Sequence, residues 1–394
     1  MIKRILALLN QSVVSISNFV LNYSLARYMS IDEYGTYSLF FGVLMFVLSI
    51  YTSLFYQPYQ MFKYENSRIF NDTNLVLNCS ISLLPAAIIF FLLSSMFFTD
   101  LVLVAGFSLY LIAYILYEAF RKIFVGNDLI LRVTIVDVLL HSIRFASLWV
   151  FIEVDLQFSH IFIVLSFSYL IQLLYLTRPV KLSGYLRESF IQSIVQGKWL
   201  LATALLYTVS SQVPIYLLGI FESVSMVGVF SMLLIPIGAI RIVQNASESF
   251  LLARLSRLRA NQEGSSLSRK SFFSESWLFY FLMVILLLFS AIFPKQILEL
   301  FYQEKLEGYH HHFLILIAYA LLQTQYFFMS IYFKSNGWVA ELFRASKLAV
   351  MWLLPFMLLF IFYFGLLGMI GTLVLSSVLN IYFCGFEWVK KCAS

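Results

Sequence analysis

The sequence predicts an all-α integral membrane protein of about twelve transmembrane helices, arranged as two six-helix bundles. Three observations predict it. Hydrophobic residues make up 61% of the 394 residues and charged residues only 12%, about half of the roughly 25% that a soluble domain carries. The apolar residues fall into runs near the roughly 20 residues that cross a bilayer core of about 30 Å. The basic residues gather on alternate connections, a pattern that needs an even number of crossings.

In chain order, the start Met1-Ile2-Lys3-Arg4 and the apolar run behind it mimic a signal peptide. The run is long, holds Asn10 and Gln11, and shows no small-x-small cleavage site, so it is read as a retained first span. The spans then run at about 5–27, 35–60, 74–98, 101–122, 131–152 and 158–177. The second six run at about 198–220, 226–252, 272–293, 311–333, 342–364 and 366–389. With both termini cytoplasmic, only Arg27, Lys295 and Lys305 of the 26 basic residues lie outside, and Arg144 and Arg241 lie within spans. The outer connections are acidic, with Asp32, Glu33, Asp100, Glu153, Asp155, Glu222, Glu299, Glu304 and Glu307.

The net charge of +6 is therefore a topology signal and not a nucleic-acid footprint. The Arg/Ser-rich inner loop at about 253–271 is a solvated segment near anionic headgroups or a docking site for a partner. Cys79, Cys384 and Cys392 are scattered and odd in number, which implies neither a disulfide framework nor a zinc site. His310-His311-His312 fan around a helix and do not converge on one ion, so no metal and no cofactor is expected.

An internal repeat joins the halves. A shift of 193 residues pairs Gly35 with Gly228, Tyr37 with Phe230 and Ser38 with Ser231. Later, a shift of 209 pairs Phe124 with Phe333, Asn127 with Asn336 and Val180-Lys181 with Val389-Lys390. The extra residues fall in the inner loop after span 8 and the outer loop after span 9. Residues 1–182 and 183–394 are then the two bundles. Six spans per half make the repeat parallel, and transporters built this way bind substrate between the halves.

Polar residues inside spans mark candidate sites. Gln11, Ser15, Asn18 and Asn22 share one face of span 1, which meets either neighbouring helices or a water-filled cavity. Span 8 carries Arg241, Gln244, Asn245 and Glu248 on one face. Arg241 lies near mid-membrane, where a charge costs roughly 2.5–3.5 kcal/mol on insertion scales, and structural pairing or anion binding compensates it. Asp137, His141 and Arg144 form a ladder on span 5. They are an internal ion-pair network or a functional group in which Asp137 and His141 titrate and Arg144 adds positive charge to a cavity. Glu118 and Arg121 read as a structural pair near the inner interface. Pro214, Pro236 and Pro355 interrupt the hydrogen bonding of spans 7, 8 and 11.

Several stretches carry a resemblance. Ala26-Arg27-Tyr28-Met29 with Glu33-Tyr34-Gly35-Thr36-Tyr37-Ser38 resembles the opening of the polysaccharide and O-antigen flippases. These belong to the multidrug/oligosaccharidyl-lipid/polysaccharide exporter superfamily. Gly197-Lys198-Trp199, Val227-Gly228-Val229-Phe230 and Leu251 to Leu258 fit the same pattern. Leu251 and Leu252 stand where that family usually has proline, and Pro58 holds the paired position in the first half. The resemblance implies two bundles around a central cationic cavity, in a bacterial inner membrane. It implies transport of undecaprenyl-diphosphate-linked oligosaccharide to the outer leaflet, and Arg27 falls on the family's arginine of the first helix. Arginine suits a diphosphate by charge-assisted bonds. The expected partners are the lipid-linked oligosaccharide, the bilayer, a polysaccharide polymerase and a chain-length regulator. The alternatives are a cation-coupled drug exporter, which should carry a carboxylate deep in span 1 or 7, and a membrane polymerase, which should carry a large outer loop.

Overall fold

The computed structural model describes residues 2–62, 68–95, 100–127, 129–154, 156–176, 185–260 and 269–393. The regular elements there are all helical: α1 (Ile2–Tyr28), α2 (Ile31–Tyr51), α3 (Gln57–Phe62), α4 (Asp72–Ser95), α5 (Leu101–Gly126), α6 (Ile130–Glu153) and α7 (Ile161–Leu176). The second half supplies α8 (Leu186–Ser211), α9 (Val213–Phe221), α10 (Val224–Ala260), α11 (Arg269–Ile292), α12 (Pro294–Tyr302), α13 (His310–Ser335) and α14 (Val339–Ala393). In lipid every backbone polar group needs an internal partner, and a helix supplies it within one segment. Among the described residues, each of the twelve expected spans falls largely on helix. Seven described stretches are long and apolar enough to cross a membrane, and one of them, Ala340–Lys391, has the length for two crossings. Its hinge is Gly365, at φ 51°. A side chain there would be strained and would overlap the Glu222 carboxylate.

The prolines act unequally. Pro214 opens α9 after the break at Gln212, so span 7 is two helices. Pro236 and Pro355 lie inside helices that run on past them, each without the one bond its nitrogen cannot donate. Pro58 sits just beyond a π-helical turn, Thr52–Tyr56. Proline cannot donate to the preceding turn and crowds its carbonyl, and a widened turn relieves both.

The repeat holds at the level of helix ends. α1 and α9 end at Tyr28 and Phe221, and α2 and α10 begin at Ile31 and Val224, all 193 apart. α5 and α13 begin and end 209 apart, as do the starts of α6 and α14. Even the connecting turns match. Asn127 N donates to Ile123 O at 3.0 Å and Leu129 N to Phe124 O at 2.9 Å. Their counterparts, Asn336 N to Tyr332 O and Trp338 N to Phe333 O, measure 3.1 and 2.9 Å. α4 and α11 are both 24 residues long, but 197 apart. The register therefore gains twelve residues between α11 and α13, where α12 and the 3-10 turn Gln303–Leu306 lie.

Packing divides the chain into two compact units: Met1–Ser17 with Phe40–Leu205, and Asn18–Leu39 with Leu206–Ser394. These packing units divide α1 and α2 between them, unlike the two copies of the repeat. The first unit is built round Phe40, Phe90, Phe107 and Phe162, with ring centroids 4.8–5.4 Å apart at the closest pairs. In the second unit the start of α2 crosses the start of α10. A Cβ at Gly35 would overlap the Val224 carbonyl, and one at Gly228 would overlap the Ile31 carbonyl. Val224 and Ile31 are themselves 193 apart, so the contact is its own mirror under the repeat. Ser225 also donates to Asp32, another pair at that spacing.

Candidate functional site

A buried polar cluster lies in the first unit, where α1, α5 and α6 meet. Asp137 is fully buried on α6. An isolated carboxylate there would be prohibitively costly, so its partners define the site. Asn10 Nδ2 donates to its Oδ2 at 2.6 Å, and Arg121 Nε donates to the same oxygen at 3.2 Å. The Tyr117 hydroxyl donates to Oδ1. Arg121 Nη2 also donates to Asn10 Oδ1 at 3.0 Å, and Nη1 lies 3.7 Å from Glu118. Asn10 is thus oriented as a bridge, its amide giving to the acid and its carbonyl taking from the base.

One turn further along α6, His141 and Arg144 form a second pair. Arg144 Nη2 meets His141 Nδ1 at 2.8 Å, and Nη1 donates to the Tyr169 hydroxyl of α7 at 3.3 Å. Because guanidinium only donates, His141 accepts with Nδ1 and carries its proton on Nε2. Tyr110, Tyr114 and Tyr117 stack against Tyr169 with centroids 5.2–5.6 Å apart. Arg144 is 1% exposed, held within this aromatic wall. The formal charges of Asp137, Glu118, Arg121 and Arg144 balance.

The expected ladder of Asp137, His141 and Arg144 is thus split: His141 and Arg144 bond to each other, while Asp137 turns to α1 and α5. Asn10, Tyr117 and Arg121 were missed as members. Their sequence separations from Asp137 are long, but the 209 shift, pairing Tyr117 with Tyr326 and Asp137 with Ser346, marks the position.

The remaining predicted residues are spread along the chain. Ser15, Asn18 and Asn22 are half-buried on α1, and Asn22 Nδ2 donates to Asn18 O at 2.8 Å. Arg27 is exposed in the last turn of α1, donating to the Tyr23 hydroxyl at 2.6 Å. Gln244 lines a small cleft of about 30 Å³ in the second unit, together with Tyr319 and Gln323. Gln323 accepts from Ser377 at 3.2 Å. Arg241, Asn245 and Glu248 lie on α10, but their side chains, like that of Gln11, fall outside the described residues. No group of three potential metal ligands converges among the described residues.

No family model matches the sequence, and no curated protein matches it. Solved structures do match its fold. An inward-facing multidrug resistance MATE family transporter of the MOP superfamily aligns with a TM-score of 0.73 at 14% identity, over 97% of this chain and 95% of that one. The lipid II flippase MurJ in an inward closed conformation aligns at 0.73 and 10% identity, over 98% and 87%. An outward-facing MATE family transporter aligns at 0.63 and 13% identity, over 99% and 96%. This chain is similar to them in fold, from end to end.

Proposed function

We propose that the chain is a flippase that moves undecaprenyl-diphosphate-linked oligosaccharide, the repeat unit of O-antigen or capsule, from the cytoplasmic to the outer leaflet by alternating access. It is a transporter and not an enzyme. It sits in a bacterial inner membrane with both termini cytoplasmic, beside a polysaccharide polymerase and a chain-length regulator. The observation that carries this reading is the end-to-end fold likeness to a protein named for flipping lipid II. The motifs around Arg27 and Gly35 add to it.

In this reading the substrate diphosphate meets Arg241, Arg27 and Arg144 at different stages of passage. Gln11, Ser15, Asn18, Asn22, Gln244, Asn245 and Glu248 line its way. Asp137 is the coupling group: a proton on its carboxyl releases Arg121, which keeps Glu118 as its partner. His141 joins only if it gives up its bond from Arg144.

Deleting the gene should abolish surface polysaccharide and leave the lipid-linked unit on the inner leaflet. Normal surface polysaccharide in that strain would end the proposal. Arg241→Ala should impair export while the protein still inserts.

One observation favours a second reading, a cation-coupled exporter of drugs or small molecules. Span 1 has no carboxylate of its own, yet Asp137 is bonded directly to it through Asn10. Raised drug susceptibility in the deletion strain, with polysaccharide intact, would select this reading. A polymerase is disfavoured because the largest described outer connection is the small helical insert Pro294–Leu306.

A further inference from the structure

We propose that the insert between α11 and α13 is a strap that holds the outer gate shut, with Lys305 as its hook on the carbonyl end of α1; the inference rests on the alternating-access reading. Outer here means the side that the basic residues assign to the outside.

The insert is where the register of the repeat shifts by twelve residues, and α4 and α5 are joined with no counterpart to α12 among the described residues. It is not a slack connection. Leu298, Tyr302 and Leu306 are 4%, 1% and 2% exposed. Tyr302 donates its hydroxyl to the Met232 carbonyl of α10 at 2.7 Å. Phe301 packs edge-on against Tyr23 and Phe19 of α1, at 5.2 and 6.2 Å. Gln303 then turns the chain with φ at 55°, in the left-handed region that few side chains adopt. This turn delivers Lys305 to the end of α1.

There the Lys305 ammonium donates to Met29 O at 2.8 Å, to Arg27 O, and more distantly to Ala26 O at 3.5 Å. The last carbonyls of a helix have no partner within it and carry the negative end of its dipole. A lysine is the natural cap, but this one comes from an element 276 or more residues away in sequence. Burial pushes the Lys305 amine below its ordinary value, with Glu33 opposing and Arg27 adding to the shift.

What the hook secures is the crossing of α2 and α10 at Gly35 and Gly228. Two backbones meet there with no side chain between them. A backbone contact of this kind has no interlocking side chain of its own, so its closure depends on what is packed around it. The crossing also contains the symmetric Asp32–Ser225 bond. The strap ties α10, through Tyr302, to the turn that leads from α1 into α2, through Lys305 on Met29 O. It therefore biases an otherwise symmetric gate toward closure on the outer side.

The test uses the full-length chain in cells, with Ser225→Cys as reporter and a membrane-impermeant maleimide as probe. Labelling is compared with a parent that lacks the reporter cysteine. Lys305→Met should raise labelling about tenfold, the population change that follows from losing ~1.4 kcal/mol of closure. Lys305→Arg should keep it low. Tyr302→Phe, which removes the other anchor and keeps the ring, should raise it by a smaller factor. Unchanged labelling in both Lys305→Met and Tyr302→Phe would overturn the strap. Labelling needs no substrate, so the two readings fail separately. Normal surface polysaccharide on gene deletion would overturn the flippase and leave a labelled gate standing, while unchanged labelling with polysaccharide lost would overturn the strap alone.

Discussion

The helix pair α5–α6 and its repeat copy α13–α14 share a backbone and differ in chemistry. In the first, Tyr117 donates to the buried Asp137, which Arg121 neutralises. In the second, Tyr326 meets Ser346 at 3.2 Å. Both tyrosines and both partners are 209 residues apart, so the hydrogen bond is the same bond with a charge removed. The position of Arg121 is Ser330, whose hydroxyl turns back to Phe327 O at 2.7 Å. The helix ends and their turn bonds are unchanged to within about 0.1 Å. A shared scaffold thus carries an ion cluster in one half and a neutral contact in the other. The difference teaches where to look for coupling: a structural requirement of the fold would appear in both halves, and this cluster appears in one.

Arg121→Met breaks the comparison hardest. It leaves Asp137 buried beside Asn10 and Tyr117 with no counter-charge, a loss of about 3–5 kcal/mol. The equivalent Ser330→Ala removes only a bond to the helix's own backbone and should cost under about 1 kcal/mol. Thermal unfolding of the detergent-solubilised protein measures both, and equal losses would show that the charge is not what distinguishes the halves. Asp137→Asn separates coupling from stability. It keeps an acceptor for Tyr117 and Asn10, so the protein should insert at normal levels while the dependence of export on external pH disappears. An unaltered pH profile would remove Asp137 from the coupling role.

The glycine crossing tests the opposite expectation, that here the halves are equal. Gly35→Ala and Gly228→Ala each push a methyl into the other helix's carbonyl, and overpacking of this kind costs about 1–3 kcal/mol. The two losses should agree closely, and a large inequality would mean that the crossing does not follow the repeat.

Much of this was legible in the sequence, for reasons that differ by feature. Spans were readable because lipid demands long apolar helices, and the repeat because Gly35, Gly228, Asn127 and Asn336 sit at turns and crossings where few residues serve. The helix ends beyond the apolar runs were less readable. α8 begins at Leu186 and α10 runs on to Ala260, well beyond the apolar runs, because polar residues such as Arg187 and Glu188 continue a helix as well as apolar ones do. α12 was hidden for the same reason: a nine-residue amphipathic helix has no span-length run to find. Asp137 and Arg144 were visible as charges in apolar helices. Asn10 and Tyr117 were not, since neither residue type is unusual in a span and only the folded contact gives them their role. Arg121 was visible but assigned to Glu118, its neighbour one turn away, since sequence spacing favours local pairs over the 16-residue separation to Asp137.

The smallest predicted effect is also the sharpest probe of the shared bond. Tyr117→Phe and Tyr326→Phe delete the same hydroxyl from equivalent places, leaving both rings in their aromatic surroundings. A hydrogen bond to a charged group contributes about 1.5–3 kcal/mol and a neutral one about 0.5–1.5 kcal/mol. Tyr117→Phe should therefore destabilise roughly twice as much as Tyr326→Phe when the two are unfolded side by side. The double mutant Tyr117→Phe, Asp137→Asn should then lose little more than Asp137→Asn alone, because the strong part of the bond goes with the charge. If Tyr117→Phe costs the same in both backgrounds, the hydroxyl acts through the tyrosine stack around Tyr169 and not through Asp137, and the two halves differ in packing more than in charge.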